Sequence, residues 1–125
     1  MTKVPAGVEL RLARAKKLMR GEMLHLADVE KDFKDRFMGA SPLDHFEILP
    51  QDDVNFRAYI FFKKHADITE CETNGLSQAM RDVVHRKLEE YGRGKRDEIT
   101  VDFEFDSYEE VVRNFEGNYF LRMRK

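Results

Sequence analysis

The sequence predicts an α+β fold in a single domain: a mostly antiparallel sheet of about four strands, packed against one long helix and N-terminal helices. Three stretches carry that expectation. Ile99, Val101, Phe103 and Phe105 alternate with Thr100, Asp102, Glu104 and Asp106, the period of a strand with one buried and one wet face. Asn55–Lys63 places Phe56, Ala58, Ile60 and Phe62 on one face and Arg57, Tyr59, Phe61 and Lys63 on the other. A strand apolar on both faces in its middle belongs at the centre of a sheet. Leu76, Met80, Val83, Val84, Leu88 and Tyr91 then repeat at helical spacing, with Gly92 as the residue that ends the helix.

The other elements follow in chain order. Val8, Leu12, Ala15 and Met19 fit a helix, although Val8, Leu10 and Leu12 also alternate as a short strand would. Leu26, Val29, Phe33 and Phe37 continue the helical spacing, with Gly21 as the expected kink or division and Gly39-Ala-Ser41-Pro42 as the stop. Asp44–Leu49 is a short strand closed by the turn residues Pro50-Gln-Asp-Asp. His65–Glu72 reads as polar and irregular. Ser107 stands three residues before Glu110, the spacing of a capping box, and opens a short helix with the stripe Tyr108, Val111, Val112 and Phe115. After Gly117, Tyr119, Leu121 and Met123 alternate, which predicts a final strand. The expected order is one or two helices, then ββαβαβ.

A chain of 125 residues, 42% hydrophobic and 37% charged, has material for one core and one domain. Its charge is unevenly spread. Residues 1–20 carry Lys3, Arg11, Arg14, Lys16, Lys17 and Arg20 against Glu9 alone, whereas residues 98–110 hold six acids and no base. The single cysteine, Cys71, excludes an internal disulfide and fits a reducing compartment. With no apolar run of membrane-spanning length and no signal peptide, a soluble cytoplasmic protein without a membrane partner is expected.

Candidate chemistry is sparse. His25, His45, His65 and His85 show no metal-ligand spacing, and Cys71 has only His65 as a base nearby in sequence. The Gly92-Arg-Gly-Lys-Arg run follows a helix and precedes a strand, the reverse of a phosphate-binding loop, and reads as a turn. Asp102, Glu104 and Asp106 share one strand face. They can be a solvated face, a divalent-cation site of a small metal-dependent enzyme, or an acidic strip that docks on a basic partner. The basic segment Lys3–Arg20 leaves a nucleic-acid-binding accessory role as a further alternative, without a helix-turn-helix or aromatic RNA-binding motif beside it.

The run from Val101 to Arg124, Val-Asp-Phe-Glu-Phe-Asp-Ser-Tyr-Glu-Glu-Val-Val-Arg-Asn-Phe-Glu-Gly-Asn-Tyr-Phe-Leu-Arg-Met-Arg, resembles the C-terminal end of small bacterial immunity proteins. These are the proteins that neutralise the toxin tips of contact-dependent growth inhibition and other polymorphic-toxin systems. The run Asp52-Asp-Val-Asn-Phe-Arg-Ala-Tyr-Ile is similar to them as well. The resemblance implies a non-enzymatic cytoplasmic inhibitor that binds one cognate toxin domain, often a nuclease. It carries over no binding residues. On charge alone the expected contacts are Asp102, Glu104, Asp106 and Glu110, with no cofactor, metal or catalytic residue.

Overall fold

A computed structural model describes residues 21–39 and 41–124. In chain order their elements are α1 (Leu26–Phe37), β1 (Leu43–Pro50), β2 (Asn55–Phe62), α2 (Ala66–Thr73), α3 (Leu76–Glu90), β3 (Thr100–Ser107), α4 (Tyr108–Phe115) and α5 (Tyr119–Met123). The segment Val8–Arg20 of the expected N-terminal helices lies outside the described residues. Residues 21–23 are helical, and a break before α1 falls at Leu24–His25, where His25 takes φ 64°.

The sheet has three strands in the order β1-β2-β3. β1 runs antiparallel to β2, and β2 runs parallel to β3. Two expectations are corrected here. The sheet is mixed, because α2 and α3 fill the connection from β2 to β3 and carry the chain back to the end where β2 began; a crossover of that length makes parallel pairing accessible. No fourth strand forms among the described residues, because Tyr119–Met123 forms α5. Asn118 Oδ1 accepts a hydrogen bond from the Leu121 amide and starts that helix. Tyr119 and Met123 pack on the sheet, whereas Phe120 and Leu121 are exposed, so the four-residue helical spacing wins over the alternation.

A third difference is α2, in the stretch read as irregular. Its only apolar pair is Ile68 and Cys71, spaced i and i+3, too little to show a stripe. The Asp67 carboxylate accepts the Lys64 amide at the helix start. The remaining elements form where the periodicity places them.

One sheet face carries the main core. Leu43, Phe46 and Ile48 of β1 and Phe56, Ala58, Ile60 and Phe62 of β2 are fully buried beneath Val29 and Phe33 of α1 and Met80, Val84 and Leu88 of α3. Phe33 stacks on Phe46 at 3.8 Å between ring centroids. Val101, Phe103 and Phe105 of β3 are only partly buried on this face, so the core thins toward β3. On β1, an edge strand, the Ile48 amide is taken by Glu30 Oε1 from α1 at 3.0 Å. Burial raises the Glu30 pKa, and the bond from Ile48 partly offsets it.

Arg93, in the loop read as basic and turn-like, points inward and is 8% exposed. Its guanidinium donates to the carbonyls of Glu22, Leu24 and Asp53 and lies 4.7 Å from the Phe56 ring centroid. One side chain thus joins the approach to α1, the β1–β2 turn and the end of α3. Gly94 follows with φ 143°, where a Cβ would stand 3.2 Å from Ile99 Cγ1.

Arg93→Ala leaves three carbonyls without this donor and is expected to cost about 3 kcal/mol in chemical denaturation. Arg93→Lys should recover only part of that, since an ammonium cannot span the fork. A loss below about 1 kcal/mol for the alanine variant would contradict the tethering role.

Candidate docking surface

The second sheet face is organised in three rows across the strands. Register places Leu49, Arg57 and Asp102 in one row, Glu47, Tyr59 and Glu104 in the next, and His45, Phe61 and Asp106 in the third. The pleat sends these side chains opposite to the main core. α4 and α5 cover the third row and reach the second: Val111, Phe115, Tyr119 and Met123 pack on Tyr59 and Phe61. The first row has no such roof, and Leu49 is 39% exposed.

The local sequence explains the cover. Ser107 Oγ accepts from the Glu110 amide and opens α4 directly at the end of β3. The capping box is one-sided, since the Ser107 amide donates to Asp106 Oδ1 rather than to Glu110. Glu116 and Gly117 then take left-handed conformations and turn the chain back over the sheet. Pairing slips between Leu43 and His45, an irregularity that lets Asp44 and His45 both meet Tyr119. The Tyr119 hydroxyl donates to the Asp44 carboxylate, while His45 stacks on its ring at 4.4 Å. Burial and that hydrogen bond push the Tyr119 pKa well above the ordinary phenol value.

The expected contact residues separate along this face. Asp102 is the open one, with its side chain 62% exposed and Arg57 at 4.0 Å. Glu104, in the middle, lies 4.0 Å from Arg57 and 3.5 Å from Arg122. Asp106 is enclosed: its side chain is 12% exposed and accepts from Arg122 Nε at 2.5 Å. Glu110 sits on α4, where its carboxylate accepts from Asn114 and faces Arg113 at 3.9 Å. The strand acids are therefore interleaved with Arg57 and Arg122, which the composition of residues 98–110 alone conceals. A strand at Tyr119–Met123 offers no way to place Arg122 opposite Asp106; the helix does.

Beside the second row, α5 and β1 enclose a groove of about 350 Å³, lined by His45, Glu47, Leu49, Tyr119, Phe120, Met123 and Arg124. Phe120 at its wall is 63% exposed. No sequence signal marked this groove, because it exists only where a five-residue helix lies over an edge strand.

The other candidate groups are structural in their surroundings. Cys71 is 2% exposed, and burial raises its thiol pKa, which disfavours the nucleophilic thiolate. Ser107 is fully buried and caps α4, with His65 Nδ1 at 3.2 Å from its hydroxyl. Among the described residues no group of three or more His, Cys, Asp or Glu side chains is arranged to hold a metal ion. No described helix is long and apolar enough to cross a membrane. Comparison with family models, curated proteins and solved structures returns no match.

Asp106→Asn removes the enclosed carboxylate nearest Arg122, leaves it only the longer contact to Glu104, and should cost about 2 kcal/mol, whereas Asp102→Asn should stay within about 0.5 kcal/mol of the parent protein in urea titration. Equal effects would mean that the Asp106–Arg122 pair does not anchor α5. A second prediction concerns pH. Burial lowers the pKa of His45, and that of His85 with help from Arg96, so the unfolded chain takes up these protons more readily. Their stabilising contribution is complete above the ordinary imidazole value of 6.5 and is lost as pH falls through the lowered folded values. Glu30 acts with the opposite sign, because its raised folded value stabilises as pH falls toward 4.5. Denaturation between about pH 7 and pH 5 should show a loss of stability that His45→Phe reduces. An unchanged slope in that variant would remove His45 from the account.

Proposed function

We propose that the protein is a non-enzymatic inhibitor that binds a cognate toxin domain, in the manner of the immunity proteins its C-terminal segment resembles, and that it docks through the open half of the second sheet face. The observation that supports this reading is the half-finished cover of that face. Leu49 and Asp102 stand in an unroofed row on a rigid sheet, next to an apolar groove with Phe120 on its wall. Charged and apolar groups presented together on a firm scaffold suit a protein partner.

In this reading Asp102 and Glu104 make the direct electrostatic contacts. They steer a basic surface of the toxin domain during encounter, so association is fast and weakens with salt. Asp106 contributes indirectly, by fixing Arg122 and with it the position of α5. Glu110 is a peripheral contact on α4. Arg57, held by Tyr59 and 4.0 Å from both Asp102 and Glu104, adds a cation beside them that can meet an acid on the partner.

The test is a tagged capture from native cells at low and moderate salt, after nuclease treatment, read by mass spectrometry. The expected result is stoichiometric recovery of the C-terminal fragment of a large secreted protein, whose expression alone arrests growth and whose co-expression with this chain does not. Asp102→Lys should then slow association about tenfold at low salt, with the difference shrinking as salt rises. Recovery of the bait alone would overturn the inhibitor reading. Unchanged association of the lysine variant would remove the acidic row from the interface.

A further inference from the structure

We propose that the groove between β1 and α5 is the anchor point of this surface and receives one long basic side chain of the protein partner, arginine foremost, with its stem against Leu49, Phe120 and Met123 and its cationic head at Glu47. The assignment of the occupant to a protein rests on the reading above; the groove's preference for a guanidinium does not.

Shape and surface composition point to a side-chain-sized guest. A groove of about 350 Å³ lies within the range that holds a small organic group. Its walls leave Leu49 39% and Phe120 63% exposed, apolar surface that an aliphatic stem would cover. Arginine is among the residues that most often carry binding energy at the centre of an interface, since its stem and planar head bury together.

Charge selects the sign. Glu47 stands on the floor, and its neighbour His45 Nε2 is 3.9 Å away. That imidazole is stacked on Tyr119 and packed near Phe61, and burial lowers its pKa below the ordinary value, so near neutrality it supplies no full positive charge to Glu47. The other groups acting on His45 are Asp44, which favours its protonation, and Lys34 of α1, which opposes it. Among the described residues no lysine or arginine pairs with Glu47. Glu104, in the same row two strands away, and Asp102, in the next, each lie 4.0 Å from Arg57, so the negative charge at the groove is that of Glu47 itself.

One group opposes the guest. Arg124 lines the groove, and its guanidinium sits 5.5 Å from the Phe120 ring centroid. In the free protein it covers part of the Phe120 ring that the guest's stem would occupy and brings a like charge to the groove. Removing it should therefore strengthen binding, whereas removing Glu47 should weaken it. A merely apolar slot would respond to neither.

The test is an NMR titration of the full chain with blocked tripeptides, Ala-Arg-Ala set against the norleucine and glutamate counterparts. The arginine peptide is expected to shift Leu49, Phe120 and Met123 resonances saturably. Glu47→Gln should weaken it about threefold or more, and Arg124→Gln should tighten it by a similar factor. Both substitutions are at partly or fully exposed positions, and unchanged thermal unfolding confirms that the variants fold. Equal binding of the norleucine peptide would make the groove an apolar slot and overturn the proposal. Preferential binding of the glutamate peptide would assign the anchor to Arg124 instead, with the same consequence. Absence of saturable shifts with the arginine peptide would refute it outright. A silent groove alongside a successful toxin capture would cost only the anchor; a responsive groove with no toxin captured would cost only the inhibitor reading.

Discussion

The central strand must be covered twice, and the rest of the architecture answers that demand. β2 presents Phe56, Ala58, Ile60 and Phe62 to one side and Tyr59 and Phe61 to the other, all of them buried. Each large side chain removed from water contributes about 1.5–3 kcal/mol, so neither face can be left wet. α1 and α3 supply the first cover with fully buried residues such as Phe33, Met80 and Leu88. α4 and α5 supply the second with far less: Val111 is the only buried residue of α4, and α5 has none.

Polar clamps make up that shortfall. Tyr119 to Asp44 and Arg122 to Asp106 pin α5 to opposite edges of the sheet, and the Tyr59 hydroxyl donates to the Met123 carbonyl between them at 3.4 Å. A helix of five residues has little intrinsic stability, so its position is set by these partners and by the Asn118 cap rather than by propensity. Because the cover is short, it stops after the second row. The same economy of apolar residues that makes the clamps necessary leaves Leu49, Arg57 and Asp102 open, with Glu47 half-buried beside them. Structure and the proposed binding surface thus share one cause.

Most of the fold was legible in the sequence, and the misses have definite physical origins. The double burial of Asn55–Lys63, the α3 stripe, the alternation before Ser107 and the Ser107 cap are strong local signals, and each element forms there. Parallel pairing of β3 was implicit in the helix between the two strands but needed the crossover to be given priority over the local hairpin. Tyr119 and Met123, four residues apart, fit both a strand alternation and one helical turn, and the Asn118 cap decides for the helix. The acidic strip was correctly seen as one face. Its neutralisation was invisible, since Arg57 lies on β2 and Arg122 on an element assigned to the wrong class. The inward course of Arg93 was equally hidden, because three backbone carbonyls leave no sequence mark.

The claim on which the account turns is that the second face is open at the Leu49 row and closed at the Phe61 row. Solvent paramagnetic relaxation, measured by NMR on the full chain with a small neutral agent, reads this directly. Strong relaxation is expected for the Leu49 methyl groups and the Phe120 ring protons, with Val111 and the Phe61 ring shielded. Shielding of Leu49 to the level of Val111 would contradict it, for the row would then be covered and the docking surface already occupied.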